Sequence, residues 1–329
     1  MKELKSFITG HEELVHDISY DFYGKQLATC SSDQHIKVFD LDAATQTWNL
    51  NDSWKAHDSS IMKVAWAAPE FGHVIASISY DRTIKIWEED TDEQPGSGRR
   101  WKRMATISDF RGPLYDVAFA PAHLGLRVGA IGSDGVLRVY DAMEPSDLRV
   151  WTLTSEVQVL NLPPATNLQS DFSLTWCPGR FSAEKIVVCA LDQGVIYTRD
   201  AQGRLTLAAN LPEHNGLIRS VSWAPSMGRW HHLLATGCKD GYVRIFKLVE
   251  KAQDVEINDA SSGESKAHSA IEVELLSQHD DHSGEVWRVN WNLTGTILSS
   301  AGDDGNIRLW KSSFSNEFQC MSVISANSN

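Results

Sequence analysis

Four histidines each head the same set of residues. His11, His57, His214 and His282 are followed by a hydroxyl, Thr29, Ser77, Thr236 or Ser300, and four positions beyond it by an aspartate, Asp33, Asp81, Asp240 or Asp304. Hydroxyl, imidazole and carboxylate are the parts of a proton relay for nucleophilic catalysis. Multiplicity argues against that use, since four sets would mean four active sites in one chain. No Gly-x-Ser-x-Gly elbow presents a nucleophile, and neither a Gly-x-Gly-x-x-Gly nor a Gly-Lys-Ser/Thr phosphate cradle occurs. The same residue types also make a buried structural network. In it the aspartate accepts from a turn backbone and from the histidine, while the hydroxyl relays to an indole N–H. The sets His57, Ser77, Asp81, Trp87 and His282, Ser300, Asp304, Trp310 are complete in that sense. The expectation is stabilisation without catalysis: no enzyme, no metal and no cofactor.

The same marks recur in register. Nine residues after each histidine stands an aromatic, Tyr20, Trp66, Trp223 or Trp291, and six after each aspartate another, Phe39, Trp87, Phe246 or Trp310. Two weaker copies lie between, one with Phe110, Phe119, Asp134 and Tyr140, the other with Asn167, Trp176, Asp192 and Thr198. Both lack the histidine and also the hydroxyl, having Ala130 and Val188 in its place. Joint loss is what a shared network predicts, because a half-satisfied buried network is worse than none. Six repeats are counted.

Between the marks run short segments rich in β-branched and aromatic residues. They are Val15–Tyr20, Gln26–Cys30 and Ile36–Phe39 in the first repeat, and Ile61–Trp66, Val74–Ser77 and Ile84–Trp87 in the second. The last repeat has Val286–Trp291, Thr296–Ser300 and Ile307–Trp310. A fourth strand fits each connection, such as Thr47–Trp54. Four strands per repeat, a histidine entry and an aromatic–acidic exit (Phe39-Asp40, Trp87-Glu88, Tyr140-Asp141) resemble the WD-repeat β-propeller. This predicts an all-β WD40 propeller, residues 1–329 forming one domain, with blades at about 11–46, 57–107, 110–154, 167–208, 214–276 and 282–324. Val249–Ala270 reads as a polar, flexible loop and Glu88–Arg100 as an exposed connector. A propeller must close its ring, because an unpaired edge templates aggregation. Glu317–Ile324 can supply the outer strand of blade six. Lys5–Thr9, a further strand, is then either idle or part of a seventh blade whose other strands are absent.

Composition sets limits. With 30 basic and 43 acidic residues the net charge is −13, which argues against direct binding of nucleic acid or an anionic membrane. No apolar run approaches the ~18 residues of a spanning helix, and Met1–Gly10 has no apolar signal core. A soluble intracellular chain without membrane insertion is expected. Cys30, Cys177, Cys189, Cys238 and Cys320 read as buried thiols. His279-Asp280-Asp281-His282 has the composition of a metal cluster, but His282 already belongs to the repeat. His231-His232 reads as a surface turn. Trp48, Trp54, Trp101 and Trp151 are either outer-strand packing residues or, if clustered and exposed, an interface hot spot.

Several stretches are more specific than the repeat. Tyr20-Asp-Phe-Tyr-Gly24, Ala28-Thr-Cys-Ser-Ser-Asp-Gln-His-Ile-Lys-Val-Phe39, Phe119-Ala-Pro-Ala-His-Leu-Gly-Leu126 and Trp291-Asn-Leu-Thr-Gly-Thr-Ile-Leu-Ser-Ser-Ala-Gly-Asp-Asp-Gly305 resemble the small WD-repeat nucleoporins homologous to the Sec-thirteen coat protein. The resemblance implies an open six-bladed propeller, into which an α-solenoid nucleoporin of about eighty-five kDa inserts a seventh blade by β-augmentation. It implies a scaffold role in the Y-shaped complex of the nuclear pore, at the nuclear envelope, supporting mRNA and protein transport. A SEA-type coating complex at the vacuolar or lysosomal membrane, upstream of TORC1 signalling, is a second implied assembly. Carried onto this chain, the insertion site uses Phe7, Ile8, Val15, His16 and Ile18 near blade one, and Val286, Trp287 and Val289 in blade six. Two other functions stay open: a secretory-vesicle coat propeller, and a peptide-reading WD40 adaptor with a basic and aromatic face.

Overall fold

The repeat aspartate makes a turn. In five repeats its Oδ1 accepts the backbone N–H two residues on, from His35, Thr83, Val136, Tyr242 and Asn306, at 2.9–3.2 Å. The residue between adopts positive φ. It is glycine at Gly135, Gly241 and Gly305, but Gln34 and Arg82 take the same conformation with side chains, at a cost of about 1–2 kcal/mol each. The aspartate bond offsets that cost and sets the register of the hairpin on either side.

The structure, a computed structural model, describes residues 7–165, 168–180, 183–250, 271–313 and 317–325. It is all-β, with 24 strands in six four-stranded antiparallel sheets, the blades of a β-propeller, and no α-helix among the described residues. Sheet one holds β1 (Val15–Tyr20), β2 (Gln26–Ser31), β3 (His35–Asp42) and β4 (Thr47–Lys55). Sheet two holds β5 (Ile61–Trp66), β6 (Val74–Ser79), β7 (Ile84–Glu89) and β8 (Trp101–Ile107). Sheet three holds β9 (Leu114–Phe119), β10 (Arg127–Gly132), β11 (Val136–Ala142) and β12 (Trp151–Gln158). Sheet four holds β13 (Phe172–Trp176), β14 (Lys185–Ala190), β15 (Gln193–Arg199) and β16 (Leu205–Leu211). Sheet five holds β17 (Ile218–Trp223), β18 (His232–Cys238), β19 (Val243–Glu250) and β20 (Ile271–His279). Sheet six holds β21 (Val286–Trp291), β22 (Ile297–Gly302), β23 (Asn306–Ser312) and β24 (Phe318–Ser325).

The chain divides into two compact units, Met1–Leu174 and Thr175–Asn329. Within the first, alternation turns Ala28, Cys30, Ile36 and Val38 of sheet one onto Ile61 and Val64 of sheet two. Ala76, Ile78, Ile84 and Ile86 of sheet two pack in the same way on Leu114, Val117 and Val128 of sheet three. Within the second unit, Ala235, Val243 and Ile245 of sheet five pack on Val286, Val289 and Leu298 of sheet six.

Several expectations change. The outer strands of sheets one, three, four and five reach Lys55, Gln158, Leu211 and His279, beyond the blade limits read from sequence, because each keeps pairing with the strand beside it to its end. Phe7–Thr9 carry no strand, and Lys5 and Ser6 lie outside the described residues, as do 251–270 of the polar loop. Cys320 is exposed, whereas the other four thiols are buried. Of the two readings of the tryptophans, packing holds for Trp54 and Trp101, which are buried and stacked at 5.5 Å; Trp48 and Trp151 are half-buried. His232 opens β18 instead of lying in a turn. The connector after β7 is pinned, since buried Asp52 of β4 accepts the Gly98 and Arg100 N–H groups at 2.7 and 2.9 Å.

Candidate functional site

In sheet two, His57 Nδ1 lies 2.8 Å from Asp81 Oδ2 and His57 Nε2 lies 2.8 Å from Ser77 Oγ. Trp87 Nε1 donates to the same Ser77 Oγ at 2.9 Å. Sheet six repeats the chain through His282, Asp304, Ser300 and Trp310, at 3.0, 2.7 and 2.8 Å. In sheet two an imidazole that donates to Asp81 through Nδ1 accepts at Nε2, so Ser77 gives its proton to histidine and its lone pair to the indole; in sheet six Arg308 also lies 2.9 Å from His282 Nδ1. Ser77 and Ser300 are buried, which keeps either hydroxyl from any substrate. Burial lowers the His57 pKa below its usual value and outweighs the pull of Asp81. Burial also works to raise the Asp81 pKa, but hydrogen bonds from His57 and Thr83 prevail and hold the carboxyl well below the usual range.

Other sheets rewire the set. In sheet one His11 meets Asp33 and Thr29, both at 2.8 Å, and Phe39 at the closing position brings no N–H. In sheet five His214 Nε2 meets Thr236 Oγ1 at 2.9 Å. Asp240, however, is taken by Arg244 at 2.7 and 3.1 Å, and His214 Nδ1 has no partner among the described residues. The expected His214–Asp240 bond is absent here, whereas in sheet six Asp304 holds both Arg308 and His282, one on each carboxylate oxygen. In sheet three Arg138 pairs with Asp134 at 2.7 Å and lies 4.8 Å over the Phe110 ring, which stands where histidine stands elsewhere. A basic residue four positions after the aspartate occurs in five repeats, as Lys37, Lys85, Arg138, Arg244 and Arg308. That is the sequence signal for this substitution. Asn167 lies outside the described residues. In the His279–His282 run, His279 stacks on Trp310 at 4.4 Å, so the two histidines serve packing and network separately.

Two sheet faces differ from the rest. Five and three residues before each turn aspartate, and three and five after it, stand the side chains that seal one sheet onto the next. In sheet two these are Ala76, Ile78, Ile84 and Ile86, and in sheet five Ala235, Gly237, Val243 and Ile245, all buried. In sheet six they are Ser299, Ala301, Ile307 and Leu309; Ile307 is 43% exposed and the others are only half-buried. The opposite face differs in sheet one. Val64, Val117, Val221 and Val289, each opposite the hydroxyl position of its own sheet, are buried. Their counterpart Ile18, opposite Thr29, is 51% exposed and Tyr20 is 54% exposed.

Of the residues expected at an insertion site, Ile8, Val15, His16 and Ile18 are exposed. Phe7 is half-buried, with its ring 5.2 Å from Phe39. In sheet six Trp287 is 46% exposed, but Val286 and Val289 are buried in the core shared with sheet five and cannot meet a partner. A bulge between Val286 and Arg288 puts both valines on that side. The sequence does not distinguish the exposed Ile307 and the half-buried Leu309, because their alternation is the same as in the sealed sheets.

A family model described as WD domain, G-beta repeat matches residues 1–40, 48–88, 205–247 and 273–311. Those segments hold the four repeats that keep the histidine. Nucleoporin SEH1 of Saccharomyces cerevisiae is 59% identical, over 98% of this chain and 99% of the relative. Nucleoporin seh1 of Schizosaccharomyces pombe is 42% identical, over 96% and 95%, and human nucleoporin SEH1 is 34% identical, over 98% and 88%. Family and fold are structural, not enzymatic. With such identity along nearly its whole length, the chain belongs to the SEH1 nucleoporin family of WD40 proteins.

Proposed function

We propose that the chain is a scaffold subunit of the nuclear pore complex, supporting mRNA and protein transport, and that it works by accepting a β-blade from an α-solenoid partner. Consecutive sheets of a propeller pack face to face, so a face built from core-type residues yet left bare calls for a cover. The observation that carries the reading is the bare face of sheet six, with Ile307 and Leu309 at positions sealed elsewhere. Ile18 and Tyr20 add a bare face on sheet one. Covering one large aliphatic side chain contributes about 1.5–3 kcal/mol, so a few such contacts hold an inserted blade. The solenoid nucleoporin of about eighty-five kDa is the partner, and the other subunits of the Y-shaped complex reach this chain through it. The same faces accept a solenoid of the SEA-type complex, which gives the chain its second location at the vacuolar or lysosomal membrane and its link to TORC1. Co-expression tests this. The melting temperature rises with the solenoid partner, and Ile18→Lys combined with Ile307→Lys removes the rise while leaving the isolated chain as stable as before. An equal melting temperature with and without the partner defeats the proposal.

A further inference from the structure

A cleft in the second unit serves neither the networks nor the bare face of sheet six. Its volume is about 410 Å³, within the ~300–1,000 Å³ of ligand pockets. Leu233, Leu276 and Phe318 give it an apolar lining. Trp230, 74% exposed, stands at its side with Lys247 5.4 Å from its ring centre and the His231 ring edge-on at 5.0 Å. One end is held by Arg229, which donates to the Gly295 carbonyl at 2.8 Å and to the Pro225 carbonyl at 2.7 Å. Gly295 has φ +61°, and a Cβ there would lie 2.3 Å from the Pro225 oxygen, so this closure depends on glycine. The cleft is therefore preformed.

Its charge runs against the molecule. In a chain of net charge −13, Arg229, Lys247 and Lys311 all line the cleft. Glu274 lies 2.9 Å from Lys247 of the lining. Arg229 Nε and His231 Nδ1 are buried without a partner among the described residues, although buried polar atoms are ordinarily satisfied.

We propose that this cleft docks an extended acidic peptide segment of a partner protein through one apolar anchor side chain. The anchor lies on Leu233, Leu276 and Phe318 beside Trp230, and flanking carboxylates meet Lys247 and Lys311. A small inorganic anion would use the cations and leave the apolar lining empty, so charge and lining together favour a peptide. This docking is independent of blade insertion.

Fluorescence anisotropy on the full chain tests it, with a labelled peptide carrying one phenylalanine flanked by glutamates. Replacing that phenylalanine by alanine, or Trp230→Ala in the protein, is expected to weaken binding about tenfold or more. Glu274→Gln releases Lys247 and is expected to tighten binding about threefold, a gain that a merely structural role would not produce. Leu207→Ala, at an exposed position on β16, leaves binding unchanged, and melting curves show all variants folded. The proposal is overturned if the peptide fails to bind at millimolar concentration. It is equally overturned if the Trp230→Ala protein or the alanine peptide binds as well, or if inorganic phosphate at the same concentration displaces the peptide fully.

Discussion

Sheets two and six carry the same relay of indole, serine, histidine and aspartate, with distances agreeing to within 0.2 Å. They also carry the same alternation on their middle strands, yet Ile84 and Ile86 are fully buried while Ile307 is exposed and Leu309 half-buried. A blade's internal chemistry and its external packing are thus separate. The relay completes itself inside one sheet, whereas an apolar face is completed only by what is laid on it.

The largest expected effect breaks this contrast directly. Ile86→Ala should cost about 2–5 kcal/mol by leaving a cavity, and Leu309→Ala about 0.5 kcal/mol, read from urea unfolding of the isolated chain. Equal costs would erase the distinction. Acid comes next, and acts on sheet five through His214. Burial, together with the Arg244 charge, pushes the His214 pKa down to about 4 from 6.5. The unfolded chain therefore binds this proton first. Stability is full above pH 6.5 and falls as pH drops towards 4, by about 3 kcal/mol. His214→Gln should flatten that slope in melting temperatures taken across the window.

Smaller again is the loss from Ser77→Ala, which strips a partner from both Trp87 and His57 and should cost about 1–3 kcal/mol. Thr29→Ala in sheet one should cost less, since Phe39 has no N–H to strand; calorimetry of the pair measures the difference. The smallest effect sharpens the bare face. Ile307→Lys should change the isolated chain's stability by no more than about 0.5 kcal/mol and reduce its self-association in sedimentation.

Much of this was legible in the residues. The positions of β1, β5 and β21 match the apolar segments read from sequence to the residue, because period-two alternation and a turn aspartate are local signals. The sets at His57 and His282 were legible for the same reason: serine, turn aspartate and tryptophan belong to one hairpin, and the histidine enters from the connection just ahead of the same sheet. The i+4 basic residue is legible too, but not its outcome, since Arg244 holds Asp240 without His214 while Arg308 shares Asp304 with His282. Trp54 and Trp101 could be read either as packing or as interface residues, and their stacking on each other from two different sheets decides for packing.

By itself, then, the sequence determined the six repeats, the turns and the hydrogen-bonded relays, since strand register and hydrogen bonding act over neighbouring strands of one sheet. Only the tertiary structure decided that Val286 and Val289 are sealed, that Ile18 and Ile307 are bare, and that a basic cleft opens in an acidic chain. Burial is set by whatever packs across a face, and alternation along a strand carries no record of it.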